Sequence, residues 1–405
     1  MIIFLYMDPL HNPFAPGAGS PPPELAGRSD LLHQAEIALS RIMKGRSEKS
    51  FFLVGLRGVG KTVLLHKISE ISEKQGYKTV IIEAHEKKSL PLLLLPELRR
   101  VLISLDSGEM ISDKVKRGLR VLKSFANAVK FTTAEGISVS LDIDPEVGTA
   151  DSGDLEADLI QVFIALGEAA KDRKTAVAII IDELQYLKEE ELSSLIMAVH
   201  KISQKSLPLI VIGAGLPQLV GKAGNSKSYA ERLFDYPEVG QLEQEDAKRA
   251  LQEPAKSEGA SFTKEALNEI LRVTEGYPYF LQEWGYQAWN FAEESPIELN
   301  VIKSVEEVVT TRLDKNFFRV RFDRLTPREK DYLRALAELG DKPQRSGEIA
   351  EILGIEVQSA GPLRSGLIGK GMIYSPAHGD TAFTVPLFGA FMKRIMPELP
   401  NKKSN

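Results

Sequence analysis

Eight consecutive residues, Gly55-Leu56-Arg57-Gly58-Val59-Gly60-Lys61-Thr62, have the types and spacing needed to grip a chain of phosphates. Glycines let successive backbone N–H groups turn toward one anion, and a helix opening at Lys61 adds the positive end of its dipole. Lys61 reaches the β- and γ-phosphates and the Thr62 hydroxyl is placed to ligate magnesium. Gly55, Arg57, Gly58, Val59, Gly60 and Val63 complete the cradle. Such a loop needs a second metal-side carboxylate at the end of a neighbouring strand. The run Ala178-Ile179-Ile180-Ile181-Asp182-Glu183 supplies it, with Asp182 on the magnesium side and Glu183 set to polarise an attacking water. An apolar strand ending in two acids says little alone, and Glu183 also reads as an acid at a helix N-terminus. Paired with the loop, the two acids indicate phosphoryl transfer to water.

Elements able to position these groups are visible around them. Short apolar runs over 51–54, 78–83, 177–181 and 209–212 alternate with helical patterns over 29–45 and 61–75. Buried strands alternating with helices predict an α/β fold, a mostly parallel sheet covered on both faces. Between the second and third strands lies an insertion, 85–160, with helices predicted over 96–105 and 113–129. There Ile137, Val139, Leu141 and Ile143 alternate with polar residues, as in one arm of a hairpin turning at Glu135-Gly136. That hairpin is read as decoration or as a partner contact. Beyond about residue 240 the strands stop, and helices are expected over 245–252, 263–273, 279–292 and 302–317. The last 80 residues change again, to helices over 327–339, 346–353 and 358–370 followed by a hairpin.

The chain has 405 residues, 43% hydrophobic and 26% charged, as in ordinary folded domains, which argues against disordered, collagen-like and membrane classes. With 51 basic and 56 acidic residues the net charge is -5, so any nucleic-acid surface has to be local. The absence of cysteine excludes thiolate metal sites and thiol nucleophiles and fits a reducing compartment. The N-terminal run, apolar for six residues and without a basic flank, reads as neither signal peptide nor membrane span. Met7 is an alternative start. The run 90–96 is too short to cross a bilayer and is interrupted by Pro91. A cytoplasmic protein with no membrane partner is expected.

With both phosphate motifs in place, the chain resembles the AAA+ and STAND ATPases, in particular the archaeal-type and origin-recognition-like grouping, over nearly its whole length. The resemblance implies a P-loop NTPase core (1–240, with a Pro-rich leader 1–23), a helical lid and linker helix (241–325), a winged helix (326–400) and a short tail. It implies ATP or ADP with Mg2+ as cofactors. Leu25-Ala26-Gly27-Arg28 looks like the family's Gly-Arg box, placing Arg28 beside the adenine, with Pro13 and Phe14 packing on the base. Gly276-Tyr277-Pro278 resembles a lid motif in which Pro278 stands where many relatives have an arginine. Arg232 sits where an arginine would cross a subunit boundary to assist catalysis, and a surface ion pair is the alternative. The strand end Gly213-Ala214-Gly215-Leu216-Pro217-Gln218 departs from the family, having no Asn, Ser or Thr at its tip, with Gln218 the nearest polar side chain. Lacking that residue and a lid arginine, the resemblance implies a slow, switch-like ATPase.

The C-terminal pattern of three helices and a hairpin reads as a winged helix, whose third helix would offer Gln358, Ser359, Arg364, Ser365 and Lys370 to double-stranded DNA. From Pro327 onward there are 11 basic and 9 acidic residues, a thin margin for phosphate contacts, and glycines weaken the third helix. The stretch 315–324, basic and aromatic, adds positive surface or buries its aromatics against the lid. The expected function is an ATP-hydrolysing switch coupled to DNA, with a homo-oligomer on DNA as one arrangement. The alternative is a nucleotide-bound regulatory scaffold whose winged helix binds a protein partner. The process served, the DNA sequence and the oligomer size are not encoded in these motifs.

Overall fold

The computed structural model describes residues 7–17, 19–106, 112–132, 143–227, 230–377 and 379–399. The N-terminal run 1–6, the expected hairpin turn at Glu135-Gly136 and His378 lie outside the described residues. The chain divides into two compact units. One comprises Met1–Ser29, Gly55–Gly60 and Val239–Asn405, the other Asp30–Val54 and Lys61–Glu238.

The second of these holds the sheet. Its strands are β1 (Ser50–Val54), β2 (Lys78–Glu83), β3 (Val177–Asp182), β4 (Leu209–Gly215) and β5 (Phe234–Asp235), in the order β2-β3-β4-β1-β5, with every pairing parallel. All residues of β1, β3 and β4 are buried, which is why these strands read as continuous apolar runs without alternation. The register sets Glu83 opposite Asp182, so acids from two neighbouring strands finish at the same end of the sheet. The strand β5 was not expected; it is two residues long and pairs with β1, where Phe234 stacks on Phe52 at 4.3 Å.

The helices of this unit are α1 (Ser29–Met43), α2 (Lys61–Lys74), α3 (Leu90–Ser104), α4 (Asp113–Thr132), α5 (Leu155–Asp172), α6 (Glu189–Gln204), α7 (Gln218–Ser226) and α8 (Ala230–Leu233). Pro91 starts α3 instead of interrupting it, because it lies in the first turn, where the missing N–H has no intrahelical partner to lose. The amide of Leu90 donates to Glu191 Oε1 at 2.7 Å and so ties that helix start to α6. Helix α5, capped by Asp154, was not singled out in the sequence, yet it buries Leu159, Val162, Phe163 and Leu166 in the core below the sheet.

The other unit contains, in the region expected to be a lid, four helices, α9 (Gln244–Ser257), α10 (Lys264–Thr274), α11 (Pro278–Phe291) and α12 (Leu299–Leu313), followed by a π-turn, Asp314–Phe318, and the short α13 (Arg319–Phe322). Then come α14 (Pro327–Leu339), β6 (Gln344–Arg345), α15 (Ser346–Leu353), α16 (Val357–Gly369), β7 (Ile373–Tyr374), β8 (Asp380–Phe383) and α17 (Phe388–Ile395). A small antiparallel sheet runs β6-β8-β7. Helix α14 begins with a capping box, in which the Thr326 hydroxyl accepts from the Glu329 amide and the Glu329 carboxylate from the Thr326 amide. The aromatics of 315–324 are buried: Phe317 stacks on Tyr279 at 4.5 Å, and Phe318 on Phe391 at 5.2 Å. Helices α9 to α12 and the C-terminal elements therefore share one apolar core. Among the described residues no helix is long and apolar enough to cross a membrane.

Candidate functional site

The carboxylate end of the sheet is built by a strand end and a helix start. Strand β3 carries Asp182 to the end of the sheet, and α2 begins at Lys61, placing Thr62 in its first turn. There the Thr62 hydroxyl donates to Asp182 Oδ2 at 2.6 Å, and the amide of Glu183 donates to Asp182 Oδ1 at 2.7 Å. Asp182 is only 8% exposed. Burial lifts its carboxyl above the ordinary aspartate range, with Glu183 adding in the same direction, while the Thr62 hydrogen bond and Lys61 pull it back. Lys61 is buried as well. Glu83, at the end of β2, is likewise shifted up, first by desolvation and then by Asp182 and Glu183.

A hydroxyl and a buried carboxylate oxygen 2.6 Å apart are hard oxygen donors of the kind that hold magnesium. A divalent cation there would offset the desolvation that now opposes ionisation of Asp182, so the donor set fits the ion that the loop motif implies.

Glu183 follows with φ 54° and ψ 38°, the left-handed region that L side chains avoid. Strain of this kind, of order 1–3 kcal/mol, persists where the surroundings over-determine it. The surroundings here are a 3₁₀ turn, Leu184–Tyr186, in which the Tyr186 amide donates to the Glu183 carbonyl at 3.0 Å. The Glu183 carboxylate accepts a hydrogen bond from the Gln185 amide nitrogen.

The loop residues Gly55–Gly60 are counted with the other unit. Gly58 and Gly60 have φ of +82° and +92°, and a Cβ on Gly55 would stand 2.0 Å from the Val239 carbonyl oxygen. Glycine is required at all three positions, twice by conformation and once by space. The Gly58 carbonyl accepts from the Tyr279 amide at 3.2 Å, in the first turn of α11 beside Pro278, and the Arg57 amide donates to the Thr384 carbonyl at 3.0 Å. Arg28 donates to the carbonyls of Val59, at 3.4 Å, and Gly240, and burial lowers its pKa, opposed by Asp246.

Phe14, expected beside a nucleotide base, is buried. Its ring is buried against Gly285 of α11 and edge-on to Phe262 at 6.1 Å, while the Asn12 side chain donates to the Tyr286 carbonyl and to Asn290. The aromatic fills the core beside α11, since an apolar ring gains more there than on a surface loop. Pro13 is half-buried beside it. Arg232 is exposed on α8. In the C-terminal elements, Gln358, Ser359 and Ser365 are exposed on α16. Arg364 is half-buried and donates to Thr381 Oγ1 at 2.9 Å and to the Asp380 carbonyl at 2.8 Å, and Lys370 pairs with Glu329 at 2.7 Å. The two cations expected to meet DNA are thus engaged within the protein.

Residues 24–212 match the model of the AAA ATPase domain, and residues 315–392 that of a domain of unknown function, DUF8462. An HTH-type transcriptional regulator of Methanocaldococcus jannaschii, uncharacterized, is 24% identical over 371 residues, covering 88% of this chain and 85% of the relative. Among solved structures, a Walker-type ATPase of Pyrococcus abyssi superposes with a TM-score of 0.54 at 18% identity, covering 91% of this chain and 96% of that one. The Orc1 protein of Aeropyrum pernix in complex with DNA gives 0.46 at 16% identity, covering 92% and 94%. The chain therefore has the parallel-sheet α/β core of P-loop NTPases, together with a C-terminal helical region.

Two residues at this site were missed in the sequence. Glu83 ends an apolar strand, and only the β2–β3 register brings it to Asp182. Gln185 carried no motif signal; its position two residues after Glu183 was the one hint.

Proposed function

We propose that this protein is an ATP-binding and ATP-hydrolysing molecular switch whose C-terminal winged helix couples nucleotide state to double-stranded DNA. The observation that carries the ATPase reading is the Thr62–Asp182 hydrogen bond beside Glu183 at the end of the buried sheet. In this reading the loop amides and Lys61 bind the phosphates, and Thr62 and Asp182 hold magnesium. Bound there, the ion would neutralise charge developing on the phosphate oxygens. Glu183 orients the attacking water and accepts its proton, and Pro278 and Arg28 border the nucleotide. Arg232, exposed on α8, is the group available to a neighbouring copy.

Coupling has a physical route in the bond from the Arg57 amide to Thr384, just after β8. A phosphate that drew this amide to itself would release the C-terminal strand from the loop. Support for DNA comes from the helix, strand, two helices and hairpin over 327–383 and from the helix-turn-helix regulator to which the chain is similar. Steady-state ATP hydrolysis with and without double-stranded DNA at low salt, beside Lys61→Ala, tests this. Turnover raised by DNA is expected, and turnover indifferent to DNA removes the DNA half of the proposal.

One observation favours the second reading, a nucleotide-bound scaffold that recruits a protein: Arg364 and Lys370 are engaged internally. Stoichiometric ADP carried through purification, without turnover or a DNA shift, would establish it.

A further inference from the structure

We infer that Gln185 is the positioning residue for Glu183, connecting its carboxylate to the tip of β4. The inference rests on the reading of Glu183 as the group that activates water. The tip of β4, Gly213-Ala214-Gly215-Leu216, has no side-chain hydroxyl or amide of its own. Its polar group is the Leu216 N–H, which donates to Gln185 Oε1 at 3.1 Å. A backbone N–H can only donate, so that contact fixes which end of the Gln185 amide faces β4. The other end, Nε2, can only donate, and it donates to Glu183 Oε2. Flipping the amide would set donor against donor on one side and oxygen against carboxylate on the other, so one orientation is enforced.

The backbone beneath this amide is held by Lys222 and by packing on β4. The Lys222 ammonium donates to the Gln185 carbonyl at 3.2 Å and to that of Leu187. Leu184, at the start of the same turn, packs so closely on β4 that a Cβ on Gly213 would stand 2.2 Å from its Cδ1. A Cβ on Gly215 would stand 3.1 Å from Gln185 Oε1 and 2.9 Å from Leu219, so the small residue at the strand tip leaves room for the amide. Gln185 thereby sets the rotation of the Glu183 carboxylate, and any displacement of the β4 tip is transmitted to it through one rigid planar group.

The test is a double-mutant cycle in the full chain, read as kcat and KM for ATP, with binding of a fluorescent ATP analogue and a thermal melt as controls. Gln185→Leu removes both hydrogen bonds. It is expected to lower kcat about tenfold, as losses of groups that orient a reacting residue commonly do, with KM within about twofold of the parent. Gln185→Glu keeps the Leu216 bond and places a second carboxylate against Glu183, and its loss is expected to be larger, about a hundredfold. In a Glu183→Gln background, Gln185→Leu should cost nothing further. Parental kcat in Gln185→Leu, a faster enzyme, or losses that multiply in the double variant would each overturn the inference while Glu183→Gln remains slow. Parental turnover in Glu183→Gln, or no turnover in the parent, would instead remove the reading of Glu183 on which it rests. Should Gln185→Leu fail to fold, Gln185→Glu decides, since parental kcat there is incompatible with a positioning amide.

Discussion

The carboxylate end of the sheet and the third helix of the C-terminal region were both assigned chemistry from sequence, and the structure treats them oppositely. At the sheet, Thr62, Asp182 and Glu183 come from segments 120 residues apart and meet within hydrogen-bonding distance. On α16, half-buried Arg364 donates to Thr381 and the Asp380 carbonyl, and exposed Lys370, just past the helix end, pairs with Glu329, while Gln358, Ser359 and Ser365 face solvent. Strand ends in a buried parallel sheet have little freedom, so residue type and position there determine geometry. A long cation on a short surface helix has several partners within reach, and its type alone does not select among them.

Four substitutions probe this contrast. Lys61→Ala removes the cation of the loop, and ATP hydrolysis should fall at least about a hundredfold together with weakened binding, measured by phosphate release and a fluorescent ATP analogue. Glu183→Gln should lower kcat by about a hundredfold while binding is retained, as expected for losing a general base and not a phosphate contact. Were both variants to lose binding equally, the division of labour at the sheet would be wrong. Arg364→Ala removes the donor to the Thr381 hydroxyl and one of two donors to the Asp380 carbonyl, which keeps the Ser375 hydroxyl, and a loss of about 1 kcal/mol in a denaturant melt is expected. Gln358→Ala should stay within about 0.5 kcal/mol of the parent and weaken retention on DNA instead. Arg364→Ala that kept parental stability and lost DNA would place that arginine with the exposed set.

The smallest effect concerns Asp182. Its folded pKa is raised above the unfolded value, so its contribution to stability is fully present below the unfolded value and is lost as pH rises through the folded one. Above the folded pKa the buried carboxylate must carry its charge out of water, which opposes folding of the nucleotide-free protein. Asp182→Asn should therefore raise the melting midpoint of the nucleotide-free protein above that of the parent at alkaline pH, read from thermal melts across pH, and the gain should shrink as pH falls. The geometry tolerates the change, because an amide can accept from the Glu183 N–H while its NH2 donates to the Thr62 hydroxyl.

What could be read from the sequence divides along the same line. Strand β2 has its expected limits, and β1, β3 and β4 begin within one residue of theirs, because long apolar runs flanked by helical patterns admit few alternatives. Strand β5 escaped notice because two residues leave no period to detect. Pro91 was taken for an interruption because its effect depends on whether it stands in a first turn or an interior one. Helix α17 is eight residues with Leu387, not a capping side chain, at its N-cap, and β6 is two residues beside a helix start. The packing of Phe14 against α11 was not foreseen. Its partner Gly285 is 271 positions away, and only the fold shows that a glycine there opens a slot for a ring. Gln185 was invisible because an amide becomes informative only when both of its ends are seen to be engaged.

The left-handed backbone at Glu183 has a consequence for any collection of variants of this chain. Glycine at 183 would relieve the conformation at no steric cost, and asparagine would relieve part of it. A library screened for resistance to heat should therefore accumulate glycine and asparagine at this codon, and one screened for turnover should return glutamate. Position 183 is thus a place where two selections on the same chain pull in opposite directions, and the residue found there reports which of them has prevailed.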